Sequence, residues 1–176
     1  DALRECFTTK LRIEDFEFVD GIFDLCAAAR DLEFRLFVIT NQAGIARGYY
    51  GESDYGRLTD WMLERFAERG IIIDRVYHCP FHPTAGIGQY RRESFDRKPN
   101  PGMILKARDE FGVDLGQSVL VGDTDSDIQA GIAAGVRYNV KLASSAGMPR
   151  EANTLVFATL QETARWMRGE FAIRPE

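Results

Sequence analysis

No run of apolar residues in this chain comes near the roughly 20 that a membrane-spanning helix needs. Residues 1–10 also lack the apolar core of a secretory signal. Cysteine is scarce. Cys6, Cys26 and Cys79 stand far apart in no paired spacing, which argues against a disulfide scaffold and reads as reduced thiols in the cytoplasm. Basic residues are outnumbered, 22 Lys and Arg against 27 Asp and Glu, and the formal charge of −5 argues against a broad nucleic-acid-binding surface. Repeats and low-complexity segments are absent as well. What remains is 176 residues with 45% hydrophobic and 28% charged content, which suits one globular domain over 1–176 with a sizeable core.

Apolar periodicity switches repeatedly between two and 3.6 along the chain. Asp20 is placed to cap a helix over 21–30, with Ile22, Leu25, Cys26 and Ala29 on one face. Residues 34–39 are apolar and β-branched and read as a buried strand ending at Thr40-Asn41. A glycine-punctuated loop over 43–51 follows. Then comes an amphipathic helix with Leu58, Trp61, Met62 and Phe66 in step, stopped at Gly70. Strands are expected at 71–77, 118–121, 136–140 and 155–157, and helices at 101–111, 126–134 and 160–167. Residues 78–99 form a long loop without period, a kind usually mobile or functional. Strand and helix alternate throughout, so the expected fold is α/β, a doubly wound, mostly parallel sheet. Between Thr40 and Lys98 there is no room for a separate cap domain, only for loops roofing the site.

Polar residues fall at one edge of that sheet. Thr40, Asn41, Asp123 and Asp127 lie at or just beyond the C-terminal ends of expected strands, the edge where open α/β sheets bind ligands. Any one of them alone is explained by a turn or a helix cap. The run from Gly122 to Asp127 carries three carboxylates in five residues. Their mutual repulsion calls for solvent or a cation, and a hard oxygen-liganded ion such as Mg²⁺ suits them. Arg97-Lys98 in the long loop supplies a planar fork and a point charge for a phosphoryl group, although such a pair is commonly solvated surface. Gly44-Ile45-Ala46-Arg47-Gly48 offers backbone amides and one guanidinium to an anion.

Taken together these segments resemble one family. Thr40-Asn41-Gln42-Ala43-Gly44-Ile45-Ala46-Arg47-Gly48 is similar to the second motif of the haloacid-dehalogenase (HAD) superfamily in its histidinol-phosphatase and heptose-bisphosphate-phosphatase branch. Arg97-Lys98-Pro99-Asn100-Pro101-Gly102-Met103 resembles that branch's third motif, and Val121-Gly122-Asp123 with Asp127 its fourth. Residues 58–62 and Cys79-Pro80 match the branch too. The resemblance implies a HAD-like fold and Mg²⁺-dependent hydrolysis of phosphate monoesters through a phospho-aspartyl intermediate. It implies that Thr40 and Asn41 bind the transferring phosphoryl oxygens and that Lys98 neutralises charge there. Asp123 would ligate Mg²⁺ with Asp127 in support, and Arg47, Arg97 and Gln42 would bind substrate.

The expected substrate is a small phosphorylated sugar, first D-glycero-D-manno-heptose 1,7-bisphosphate for lipopolysaccharide or capsule precursors. The expected protein is a cytoplasmic monomer without membrane or nucleic-acid partners. Histidinol phosphate is the alternative substrate. Two further alternatives are a polynucleotide 3′-phosphatase, which the acidic charge opposes, and an inactive phosphosugar-binding relative.

Two departures stand out. The branch opens on an apolar strand followed by Asp-x-Asp-Gly, which carries nucleophile and general acid; Asp1-Ala2-Leu3 does not match it. The expectation is that this segment lies upstream of Asp1 and fills the middle of the sheet. Second, many relatives hold zinc through Cys-x-His and Cys-x-Cys pairs in the long loop. Here those positions are Cys79, Phe81, Ser94 and Asp96, with His82 one place out of register, so zinc is not expected. Tyr77, Phe81 and Tyr90 are expected to pack the loop instead.

Overall fold

A computed structural model describes residues 12–143 and 153–172. The readings of 1–10, with Cys6 and the expected nucleophile segment, lie outside these residues. The described chain is α/β, as its alternating periodicity implies. Five strands are described, β1 (Phe37–Asn41), β2 (Arg75–Cys79), β3 (Val119–Gly122), β4 (Tyr138–Leu142) and β5 (Thr154–Phe157); β5 follows β4 directly, and elsewhere strands alternate with helices. These are α1 (Ile22–Asp31), α2 (Ala43–Ala46), α3 (Glu52–Ala67), α4 (Gly102–Phe111), α5 (Asp125–Ala134) and α6 (Leu160–Phe171). Every strand pairing is parallel.

The strands form two groups, β1 with β2 and β3 with β4 and β5. An apolar cavity of about 260 Å³ lies between the groups, lined by Phe37 and Ile39 of β1, Val119 and Val121 of β3, and Lys98 and Asp127 at one end. Among the described residues, no strand pairs with the facing edges of β1 and β3. Around this centre α1 packs on α6 through Leu25, Ala28, Ala29, Leu160, Ala164 and Met167. Phe18, Trp61 and Phe66 close the α1–α3 side.

Several boundaries differ from the sequence expectation. Asp20 does not cap α1. The chain enters through Gly21 at φ 82, and the Asp20 carboxylate accepts from Gln161 Nε2 on α6 instead. The first strand starts at Phe37 because Leu36 is diverted to Asp74, whose carboxylate accepts the Leu36 N–H at 3.1 Å. The second begins only at Arg75 and runs on through His78 and Cys79, so the long loop starts later than expected. The 43–51 loop holds the short helix α2. The stop signals at Gly70 and Gly135 act as read, both at positive φ.

Candidate active site

Parallel pairing of β1 and β2, and of β3 and β4, brings strand ends to one edge. Thr40-Asn41 closes β1, Cys79 closes β2 and Gly122 closes β3. Onto this edge the long loop folds back through a reciprocal pair. Asn41 Nδ2 donates to the Lys98 carbonyl at 3.0 Å, and the Lys98 N–H donates to Asn41 Oδ1 at 3.0 Å. A side-chain amide thus imitates a strand partner and fixes residue 98, 57 positions away, against β1. The Asn41 carboxamide, expected at a phosphoryl oxygen, is therefore engaged in holding Lys98.

The Lys98 side chain, 5% exposed, runs inward. Its ammonium donates to the Ile39 carbonyl at 3.2 Å and meets Asp127 Oδ1 at 2.6 Å. Asp127 is the third residue of α5. Its Oδ2 accepts from the Thr124 N–H at 3.0 Å and the Thr124 hydroxyl at 2.7 Å, closing a capping box. Gly122 makes this possible, since a Cβ there would collide with the Asp127 side chain. Burial alone would push the Asp127 carboxyl up. The Lys98 charge with its hydrogen bond, and the bond from Thr124, outweigh burial and bring it from its ordinary 3.8 down to about 2.

The acidic turn is therefore compensated largely from within. Asp127 faces Lys98, and Asp125 meets Lys141 from β4. Asp123, exposed directly after β3, is the carboxylate best placed for an external cation. Among the described residues, no group of three or more His, Cys, Asp or Glu side chains is gathered to hold a metal. Mg²⁺ does not require one, since it commonly keeps waters and takes one or two carboxylates plus substrate oxygens. The Asp123 carboxylate, exposed at the rim of this edge, fits that ion.

Zinc fits poorly. Cys79 is fully buried, and the Phe81 ring is covered by the Arg92 guanidinium at 3.7 Å. Ser94 Oγ accepts the Asp96 N–H, and the Asp96 carboxylate binds Lys106 at 2.5 Å. Phe81 and Tyr90 lie 6.1 Å apart, so aromatic and ionic contacts occupy the positions where a metal would act as clasp. Tyr77, expected in this packing, instead faces α4 and donates to Glu110 at 2.8 Å.

The remaining residues form the roof. Thr40, 2% exposed, accepts from Gln42 Nε2 at 3.0 Å, and Gln42 Oε1 accepts from the Tyr50 hydroxyl at 2.7 Å. Gln42 thus orders the Thr40 hydroxyl. Arg47 caps the end of α2. Arg97 Nη1 donates to the Phe81 carbonyl at 3.1 Å, tying the two ends of the long loop. Ile87 N–H to Ala46 O, at 2.9 Å, and the Tyr90 hydroxyl to Glu52, also at 2.9 Å, join this loop to α2 and to the start of α3. Sequence reasoning missed Thr124 and Tyr50. The Thr-x-x-Asp spacing of a capping box could have shown the first; nothing local points to the second.

Comparison with known proteins decides the family. Residues 95–160 match the HAD-hydrolase-like family model. A Vibrio cholerae protein named D-glycero-beta-D-manno-heptose-1,7-bisphosphate 7-phosphatase is 40% identical over 146 residues, 83% of this chain and 78% of that protein. The chain belongs to the heptose-bisphosphate phosphatase family of HAD hydrolases. A Burkholderia mallei member, named for the alpha anomer, is 60% identical over 124 residues, 70% of this chain. That match spans 66% of the relative's own length. The solved D,D-heptose 1,7-bisphosphate phosphatase of B. bronchiseptica, complexed with magnesium and phosphate, superposes at TM-score 0.77 and 25% identity, covering 94% of this chain and 90% of that one. A HAD-like phosphatase candidate from Mesorhizobium loti superposes at TM-score 0.84 and 26% identity, over 99% and 84%.

Proposed function

We propose that this protein hydrolyses the 7-phosphate of D-glycero-D-manno-heptose 1,7-bisphosphate with Mg²⁺. The observation that carries the reading is the convergence of Thr40, Lys98, Asp123 and Asp127 at the C-terminal ends of β1 and β3. Phosphoryl transfer needs positioning and fixed positive charge more than covalent chemistry. Lys98, clamped by Asn41 and Asp127, presents an ammonium that cannot drift as charge redistributes. Thr40, ordered by Gln42, offers a hydroxyl to a phosphoryl oxygen. Asp123, with Asp127 behind it, would hold Mg²⁺, which when bound draws negative charge from the phosphoryl group. Arg47 and Arg97 would receive the rest of an anionic substrate.

The attacking group is not among the described residues. The cavity between β1 and β3 is largely apolar in its lining and is bordered by Lys98 and Asp127.

The named relatives support a sugar bisphosphate over histidinol phosphate. Those named for the alpha anomer share 60%, 49% and 44% identity, against 36–40% for those named for the beta anomer, which favours the alpha substrate. A single-domain cytoplasmic monomer without zinc or nucleic-acid partners completes the proposal. Among the described residues, no helix is long and apolar enough to cross a membrane. The test is Mg²⁺-dependent phosphate release by the full chain from both anomers and from histidinol phosphate. The alpha bisphosphate should be preferred. Faster release from histidinol phosphate would overturn the assignment.

A further inference from the structure

His82 lies in the roof loop, next to the Phe81 carbonyl that Arg97 binds, and has no part in the chemistry described so far. Its main-chain N–H donates to the Tyr90 carbonyl at 3.0 Å, which anchors the base of the side chain. Its Nδ1 faces the N–H groups of Ala85 at 3.0 Å and Thr84 at 3.3 Å, with the Thr84 hydroxyl at 3.5 Å. A ring nitrogen that accepts from backbone amides carries no proton, so the proton of the neutral ring is on Nε2. Burial, then the charges of Arg97 and Arg47, hold the ring's pKa below its ordinary 6.5, with Glu93 acting weakly the other way. The ring is therefore a fixed neutral donor at neutral pH, with its tautomer set by the loop.

The surroundings decide what that donor is for. Arg97 precedes Lys98 and is tied to the Phe81 carbonyl beside His82. Arg47 is brought to the same loop by the Ile87–Ala46 hydrogen bond. The charges of both arginines thus act on the His82 ring, and Arg97 directly precedes Lys98 in the chain. Such a set suits a second anion, set apart from the first.

We propose that His82 donates its Nε2–H to the non-reacting phosphate of the substrate and so sets the preference for a bisphosphate over a monophosphate. This rests on the phosphatase reading above. A neutral donor adds a directed hydrogen bond to the charge that the arginines already supply, and such a bond to a charged group is lost in full when the donor is removed.

His82→Asn separates this role from loop stapling. Its Oδ1 still accepts near the Nδ1 position, and the Nε2 donor is gone. The kcat/KM ratio of heptose 1,7-bisphosphate to heptose 7-phosphate should fall about tenfold or more, mostly through KM. His82→Gln, which places an N–H near Nε2, should recover part of that ratio. Equal losses on both substrates, or a ratio within about twofold of wild type, would overturn the proposal. The dissociation constants of the two sugars, measured without Mg²⁺, read the same ratio independently of turnover. If the wild-type chain hydrolysed neither sugar, the phosphatase reading would fail, and the ratio of dissociation constants in His82→Asn would still decide the role of His82.

Discussion

Replacing Asp127 by Ala should destabilise the protein by about 3 kcal/mol, at the lower end of what breaking a buried ion pair costs. The Lys98 and Asp127 side chains are each 4% exposed, and their charged atoms stand 2.6 Å apart. Truncating the carboxylate removes the acceptor that the buried ammonium meets at 2.6 Å. It also removes one half of the α5 capping box. Asp127→Asn keeps an acceptor for Thr124 and loses only the charge, so it should cost less, about 1.5–2 kcal/mol. A Lys98→Met/Asp127→Leu double variant removes both charges and should fall within about 1 kcal/mol of wild type. Urea unfolding of the full chain at pH 7 measures all three through the shift in midpoint at constant slope. A loss under about 1 kcal/mol for Asp127→Ala, or a double variant weaker than either single one, would refute the account of this pair.

The same pair gives a pH dependence. The Asp127 carboxyl is depressed in the folded state, so its stabilisation is fully present above its ordinary 3.8 and is lost as pH falls toward about 2. The loss is at most about 2 kcal/mol, and acid unfolding of Asp127→Asn should lack that component. Elemental analysis should find no stoichiometric zinc on the full chain, and Phe81→Ala should loosen the long loop in hydrogen exchange; one zinc per chain would contradict the aromatic clasp. Gly122→Ala should cost about 1–3 kcal/mol through its collision with Asp127, read by thermal unfolding. Asp123→Asn should keep the fold and abolish Mg²⁺-dependent turnover.

Much of the fold was legible because it follows from local rules. Alternating periodicity announced the five strands and all the helices but the short α2, and Gly70 and Gly135 marked helix ends through the left-handed conformation that only glycine adopts cheaply. What failed was set by distant partners. Asp20 was free to cap α1 on local grounds but is claimed by Gln161, and Leu36 leaves the strand because Asp74 takes its N–H. The site shows the same division. Thr40, Lys98 and Asp127 were readable by type and position. That Asn41 binds the backbone of Lys98, and that Asp125 and Asp127 each find a lysine, depends on contacts up to 57 residues apart that no local pattern encodes. His82 was read only against the zinc-ligand register, because the arginines whose charges act on it include one on another segment.

The central claim is that Lys98 sits at the reacting phosphoryl group, and the turnover of Lys98→Ala on heptose 1,7-bisphosphate tests it most directly. The full-length variant, folded by circular dichroism and assayed below its melting temperature with saturating Mg²⁺, should lose several orders of magnitude in kcat, because the lost charge acts where charge redistributes. A kcat within tenfold of wild type would contradict the account and return the Arg97-Lys98 pair to an ordinary structural ion-pair role.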